Sequence, residues 1–242
     1  MKLYLGVDGC TGGWIAAVLV SGELRLERYD SIKAIIRQYP TFDAFLIDMA
    51  IGLRSSPDQM RPDGFARKEL GVRASTIFSV PSRAAVYANG EDSQKAANLR
   101  ELGKSLSKQT VNIIPKIREV DEFLDAYPQY KNRILESHPE LDFSRLNGSV
   151  LLSRKKDAAG IEEREAILAK YLPSLPGIRD AAKKLNCNPD DVVDAICLAV
   201  TAAFKARGMC ETMPERPESD ERGLRMQMTV PIYNAGGCFP LQ

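Results

Sequence analysis

The N-terminal segment constrains the fold more than any other part of the chain. Leu3, Leu5 and Val7 alternate with Tyr4, Gly6 and Asp8, the period of a strand, here one that ends in an acid. Gly9-Cys10-Thr11-Gly12-Gly13 forms a tight turn, and residues 14–20 read as a second, apolar strand. Ser21-Gly22 is a hairpin signal, so the next alternating run, 24–29, pairs antiparallel with what precedes it. Ser31 caps a short helix to about Tyr39, with Ile32, Ile35 and Ile36 on its apolar face. Residues 44–53 are then nearly all apolar, with one acid, Asp48. A continuous apolar run after a helix predicts a central strand covered on both faces and parallel to the first. Three meandering strands, a helix and a buried parallel strand define a mixed sheet of the α/β class.

Downstream, residues 54–135 read as mainly helical, with loops around Pro81 and Pro115. Residues 61–118 carry eleven Lys/Arg against five Asp/Glu, whereas 119–145 carry seven acids against three bases, so the chain is polarised. Residues 133–141 predict a short fifth strand closed by Pro139, and 161–171 a helix. Asn188-Pro189 caps a helix over about 190–206, apolar almost all round apart from its acids and hence buried. Residues 207–223 read as a charged surface loop. Residues 224–232 alternate as a final strand, open to pairing within the chain or with a partner, and Pro231 confines it to an edge or a strand end. The expectation is one domain over 1–242, with a helical insertion at about 54–132 between the fourth and fifth strands.

Composition narrows the chemistry. Apolar residues at 44% and charged residues at 27% describe an ordinary globular chain, and no apolar run approaches the roughly 20 residues of a membrane span. Asp8-Gly9 comes so early that no secretory signal is expected. Five cysteines, an odd number without a C-x-x-C pair, argue against a disulfide framework or structural zinc and for a reduced, cytoplasmic setting. A net charge of +1 neither requires nor forbids nucleic acid. His138 is the only histidine, so a zinc centre built on several histidines is excluded and a Ser-His-Asp triad depends on it. Hydrolytic chemistry has to lean on carboxylates.

Certain carboxylates need an explanation, because an ionised acid in apolar surroundings is costly unless paired or metal-bound. Asp8 ends the first strand, Asp48 lies in the apolar fourth, and Asp194 lies inside the apolar late helix, with Asp191 one turn earlier on the same face. Glu136, on the fifth strand, is a further candidate. Each alone has a plain reading as a turn residue or helix cap, although Asp194 is too far inside its helix for that. Together they suit Mg²⁺ or Mn²⁺, which prefer oxygen ligands and support phosphodiester hydrolysis. The order β-β-β-α-β-α-β-α makes the first strand, the fourth strand and a late helix converge.

These residues resemble the ribonuclease H-like superfamily, whose nucleases and junction resolvases place acids on the first strand, the fourth strand and a late helix. More closely, the chain is similar to the family called domain of unknown function 429, described as predicted ribonuclease H-like nucleases. The matching pieces are G-V-D-G-C-T-G-G-W at 6–14, I-D-M-A-I-G-L at 47–53, A-R-K-E-L-G-V-R-A-S-T-I-F-S-V-P-S-R at 66–83, I-P-K-I-R-E-V-D at 114–121, E-S-H-P-E-L at 136–141 and D-D-V-V-D-A at 190–195. The resemblance implies a ribonuclease H-like mixed five-stranded sheet flanked by helices. It also implies a metal-dependent nuclease acting on nucleic acid. Asp8, Asp48 and Asp194 would then be metal ligands, with Asp191 or Glu136 completing the set. His138 would shuttle a proton or orient the leaving group, or else be a structural histidine beside a proline turn. Arg67, Arg73, Arg83 and, on the 114–121 motif, Lys116 are substrate-binding candidates, against a solvated helix face. Two alternatives stand beside the nuclease. One is a non-catalytic binding module whose acids cap or pair with arginines. The other is an actin-like or sugar-kinase-type ATPase, for which a second such domain is wanting.

Overall fold

A computed structural model describes residues 2–233. The elements run β1 (Leu3–Cys10), β2 (Gly13–Val20), β3 (Glu23–Tyr29), α1 (Ile32–Gln38) and β4 (Ala44–Ile47), then α2 (Asp63–Leu70), α3 (Arg83–Tyr87), α4 (Glu91–Leu102) and α5 (Lys108–Ala126). There follow β5 (Ile134–Glu136), α6 (Pro139–Asn147), α7 (Ala158–Ala169), α8 (Ile178–Leu185), α9 (Pro189–Ala206), β6 (Cys210–Met213) and β7 (Met228–Pro231). The chain falls into two compact units. One comprises the residues up to Asp48, Arg133–Glu211 and those from Thr229 on; the other comprises Met49–Asn132 and Thr212–Met228.

The first unit holds a five-stranded sheet in the order β3-β2-β1-β4-β5. β1 to β3 are antiparallel neighbours, and β1, β4 and β5 are parallel. This is the mixed α/β sheet expected, with the helical region between its fourth and fifth strands. The β2–β3 hairpin turns at Ser21 and Gly22, both with positive φ, which matches the twist of the strands they join. Ser31 caps α1 by accepting from the Ala34 N–H.

The core cluster on one sheet face joins Tyr4, Ile15, Ala17, Leu19 and Leu46 to the nearly all-buried α9. α9 lies directly on β1 because Gly6 has no side chain. A Cβ there would stand 2.1 Å from the Ala199 nitrogen and 2.2 Å from the Ala195 oxygen. That close approach brings the first turns of α9 against the end of β1.

Several elements depart from the sequence expectation. β1 continues two residues beyond Asp8, to Cys10. β4 stops at Ile47, so Asp48 follows the strand rather than lying in it. Pro115 sits inside α5 and not in a loop; burial of Ile114, Ile117, Val120 and Leu124 offsets the missing N–H, a loss of about 3 kcal/mol in an isolated helix. Pro139 does more than close β5: it starts α6, where its lack of an N–H costs nothing. Residues 207–223 contain β6, and of 224–232 only Met228–Pro231 is strand, paired with β6. Pro231 ends that strand, one of the two places expected for it. α6 and α8 are additional to the expected elements, although Ile178, Ala181, Ala182 and Leu185 of α8 stand at the helical spacing i, i+3, i+4, i+7.

Among the described residues, no helix is long and apolar enough to cross a membrane.

Candidate metal centre

Three strand-and-helix facts assemble the site. The parallel register pairs Val7 with Ile47, and the Asp48 N–H donates to the Val7 carbonyl at 2.9 Å, so Asp8 and Asp48 emerge side by side. Asp8 shares the face of Gly6, on which α9 lies, and α9 contributes Asp194 from its second turn. One carboxylate oxygen from each of Asp8, Asp48 and Asp194 lies within 4.8 Å of the other two. Asp194 is fully buried and Asp8 nearly so.

The electrostatics are those of an under-neutralised cluster. Burial pushes the Asp8 carboxyl well above the usual carboxylate range; the charges of Asp48 and Asp194 push it further, and Lys155 draws it back. Burial likewise raises Asp194, to about 7, against the opposing pull of Lys155. Lys155 is the cation that answers these acids, and it forms an ion pair with Asp194 Oδ2. Burial works against its charge, but Asp194, Asp8 and Asp48 outweigh that and hold the ammonium protonated beyond its ordinary value. One further oxygen, Asp194 Oδ1, is buried without a hydrogen-bond partner. An all-oxygen donor set with an unpartnered buried oxygen fits a hard divalent cation.

Lys155 is held in place from behind. Arg164, fully buried, donates to Glu140 Oε1 at 2.6 Å, to the Gly160 carbonyl at 2.9 Å and to Ser153 Oγ at 3.1 Å, tying α6, α7 and the Lys155 loop together. Gly160 permits the contact: a Cβ there would lie 1.9 Å from the Arg154 carbonyl oxygen. No sequence period marks a loop lysine such as Lys155. Asp142 likewise carries no local sequence signal. It is buried on α6, accepts from Ser137 Oγ at 2.7 Å, and is raised well above its usual range by burial.

The other expected residues lie elsewhere. Asp191 forms a capping box with Asn188 at the start of α9, accepting from its backbone and side-chain nitrogens at 3.2 and 3.1 Å. Burial raises its pKa, and it reaches Asp8 only as the last of the charges acting there. Glu136 is in register with Ile47, and so shares its face with Ile47 and Val7, opposite to Asp8. It does not join the three aspartates. His138 is the N-cap residue of α6, buried, with Nδ1 unpartnered.

Arg67, Arg73, Arg83 and Lys116 belong to the second unit. Arg67 donates to the Ile77 carbonyl and Ser79 Oγ, and Arg73 lies in a short 3₁₀ turn. Lys116 lies on α5. Arg83 is engaged by two carboxylates, Asp121 and Asp220. Asp121 also accepts from Tyr87 Oη at 2.6 Å and Arg222 Nη1 at 2.8 Å. The role of Asp121 within the I-P-K-I-R-E-V-D motif is thus to gather two arginines and a tyrosine.

A family model described as a protein of unknown function, DUF429, matches residues 6–219. The chain belongs to the DUF429 family. No curated protein and no solved structure matches it. The span that makes it a DUF429 protein contains all three clustered aspartates and Lys155.

Proposed function

We propose that this DUF429 protein is a divalent-metal-dependent nuclease of the ribonuclease H-like kind, hydrolysing phosphodiester bonds in nucleic acid. One observation carries the reading: β1, the end of β4 and α9 converge three carboxylate oxygens within 4.8 Å, with Asp8 and Asp194 buried and Asp194 Oδ1 unpartnered. The sheet order β3-β2-β1-β4-β5 supports the ribonuclease H-like assignment, because it puts acids of the first and fourth strands next to each other.

Asp8, Asp48 and Asp194 would hold Mg²⁺ or Mn²⁺. Such a cation supplies Lewis acidity toward a phosphoryl oxygen and lowers the pKa of water. The chain does the rest. β1 and α9 fix two of the ligands on rigid elements, which limits their reorganisation. The burial that makes the bare cluster costly also excludes competing water and strengthens each charge interaction. Lys155, about one-third exposed beside Asp194, presents an ammonium to incoming phosphate oxygens and offsets their charge.

The Lys155–Asp194 ion pair also favours a second reading, in which the acid is simply neutralised and the module binds nucleic acid without turnover.

Calorimetric titration of Mn²⁺ into the wild type, Asp8→Asn and Asp194→Asn decides between them. Binding lost in both variants, with Mn²⁺-dependent cleavage of a nucleic-acid panel lost in parallel, supports the nuclease. Nucleic-acid binding indifferent to metal and to both substitutions supports the second reading.

A further inference from the structure

The second unit contains a cavity of about 540 Å³, a size typical of small-ligand sites. Its lining combines two features. The first is positive charge. Arg61 lines it but is consumed by Asp63, at 2.8 Å. That leaves Arg54, Arg67, Lys68 and Lys104 against the single acid Asp58. Arg67 spends its hydrogen bonds on a carbonyl and a hydroxyl, neither of which cancels its charge. Arg54 is half-buried, and its Nε is sequestered without a hydrogen-bond partner. Burial lowers its pKa, and the neighbouring Arg61 adds to this while Asp63 opposes. A desolvated guanidinium short of acceptors is a site at which an anion gains more than it would on an open surface.

The second feature is an exposed aromatic ring. Phe65, on α2, is 42% exposed at this cavity, beside Met60 at 43%. Among the described residues Phe65 makes no ring contact. An exposed phenyl ring next to several uncompensated cations matches a ligand with an aromatic plane and an attached anion. Base stacking on such a ring is worth about 1–3 kcal/mol.

We propose that this cavity binds a nucleotide unit, with its phosphate among Arg54, Arg67, Lys68 and Lys104 and its base against Phe65. The site shares no residue with the carboxylate cluster and takes its ligand without divalent metal, so it stands or falls independently of the nuclease reading. The same chemistry is offered by a free mononucleotide and by an unstacked nucleotide within a single strand.

The experiment uses the full chain in EDTA. The only tryptophan, Trp14, is fully buried, so a Phe65→Trp variant places one exposed fluorophore at the cavity. It is titrated with AMP, adenosine, inorganic phosphate and a short oligodeoxyadenylate. AMP or the oligonucleotide is expected to quench it saturably, with adenosine and phosphate each binding at least about tenfold more weakly. Lys68→Ala with Lys104→Ala, both at exposed positions, is expected to weaken binding about tenfold or more with an unchanged unfolding midpoint. Tighter binding of AMP assigns a free nucleotide; tighter, steeply salt-dependent binding of the oligonucleotide assigns a strand. Phosphorus NMR line broadening of AMP by the wild type, and its loss in Phe65→Ala, repeats the test without the new indole. Absence of saturable quenching and of broadening, or binding unchanged by removal of the lysines, overturns the proposal.

Discussion

Two groups of buried aspartates in this chain use the same side chain to opposite ends. In the second unit, Asp121 and Asp220 face Arg83 and Arg222, and Tyr87 donates to Asp121 as well. Asp220 also accepts from the backbone N–H groups of Leu53, Arg222 and Leu224, each at 2.9 Å. With Asp125, 3.5 Å from Arg222 and 3.9 Å from Lys131, three acids meet two guanidinium groups and one ammonium. In the first unit, Asp8, Asp48 and Asp194 meet one ammonium. Asp8 accepts from the N–H of its neighbour Gly9 at 2.7 Å, and Asp194 Oδ1 has no donor. The first arrangement closes its own charge balance and holds loops together. The second leaves a deficit of positive charge that a folded protein keeps only where something else fills it.

The contrast breaks most sharply under removal of one acid. Asp121→Ala takes one carboxylate from each of Arg83 and Arg222 and the acceptor from Tyr87, and is expected to destabilise by about 3 kcal/mol, since loss of a buried partner leaves charge under-compensated. Asp8→Asn removes a repelling charge and is expected to leave metal-free stability equal or higher by about 1 kcal/mol. Urea denaturation in EDTA measures both. A large loss for Asp8→Asn would show that its charge is satisfied within the fold.

A pH series sharpens the same difference. Asp194 is raised from 3.8 to about 7, and Asp8 is raised too, so the folded state binds protons more tightly than the unfolded chain. Stability then falls as pH rises through that window, by roughly 2–4 kcal/mol for the metal-free protein. Asp194→Asn is expected to flatten the fall between about pH 4 and 7, as read by denaturation midpoints in EDTA. A wild-type curve parallel to that of the variant would remove Asp194 as its source.

The three clustered aspartates were legible in the sequence because an acid inside an apolar run is conspicuous, and the strand order was legible because each N-terminal strand carries its own period and turn. The face of Glu136 was not legible, because a short strand does not reveal its register; pairing with Ile47 turns it away from the three aspartates. The helix repeat places Asp191 near Asp194, and what it does not reveal is the capping box with Asn188. Lys155, Glu140 and Arg164 were hidden because their meaning lies in long-range pairing between α6, a loop and α7. The arginine hub was visible only as a motif: Arg83, Asp121 and Asp220 are far apart in sequence, and nothing local relates them.

Metal itself separates the two groups further. Mn²⁺ at about a hundred times its dissociation constant is expected to stabilise the wild type by about 2.7 kcal/mol and Asp8→Asn not at all. Asp121→Ala, where it folds, should keep the full increment, because its acid serves arginines and not the cation. Thermal melts with and without Mn²⁺ read the three proteins together.

The smallest effect expected is the most specific. Lys155 and a divalent cation compete for Asp194, so Lys155→Met should tighten Mn²⁺ binding, by about tenfold if the ion pair is worth about 1.4 kcal/mol. The aliphatic stem is kept and only the charge is lost, and the side chain is exposed enough that the fold should tolerate the change. Cleavage should fall in the same variant, because the ammonium that burdens metal binding is also the one beside the incoming phosphate. Tighter metal with slower turnover separates competitor from ligand support. Weaker Mn²⁺ binding in Lys155→Met would instead make the lysine a prop for Asp194, and the cluster would then resemble the arginine hub more than it differs from it.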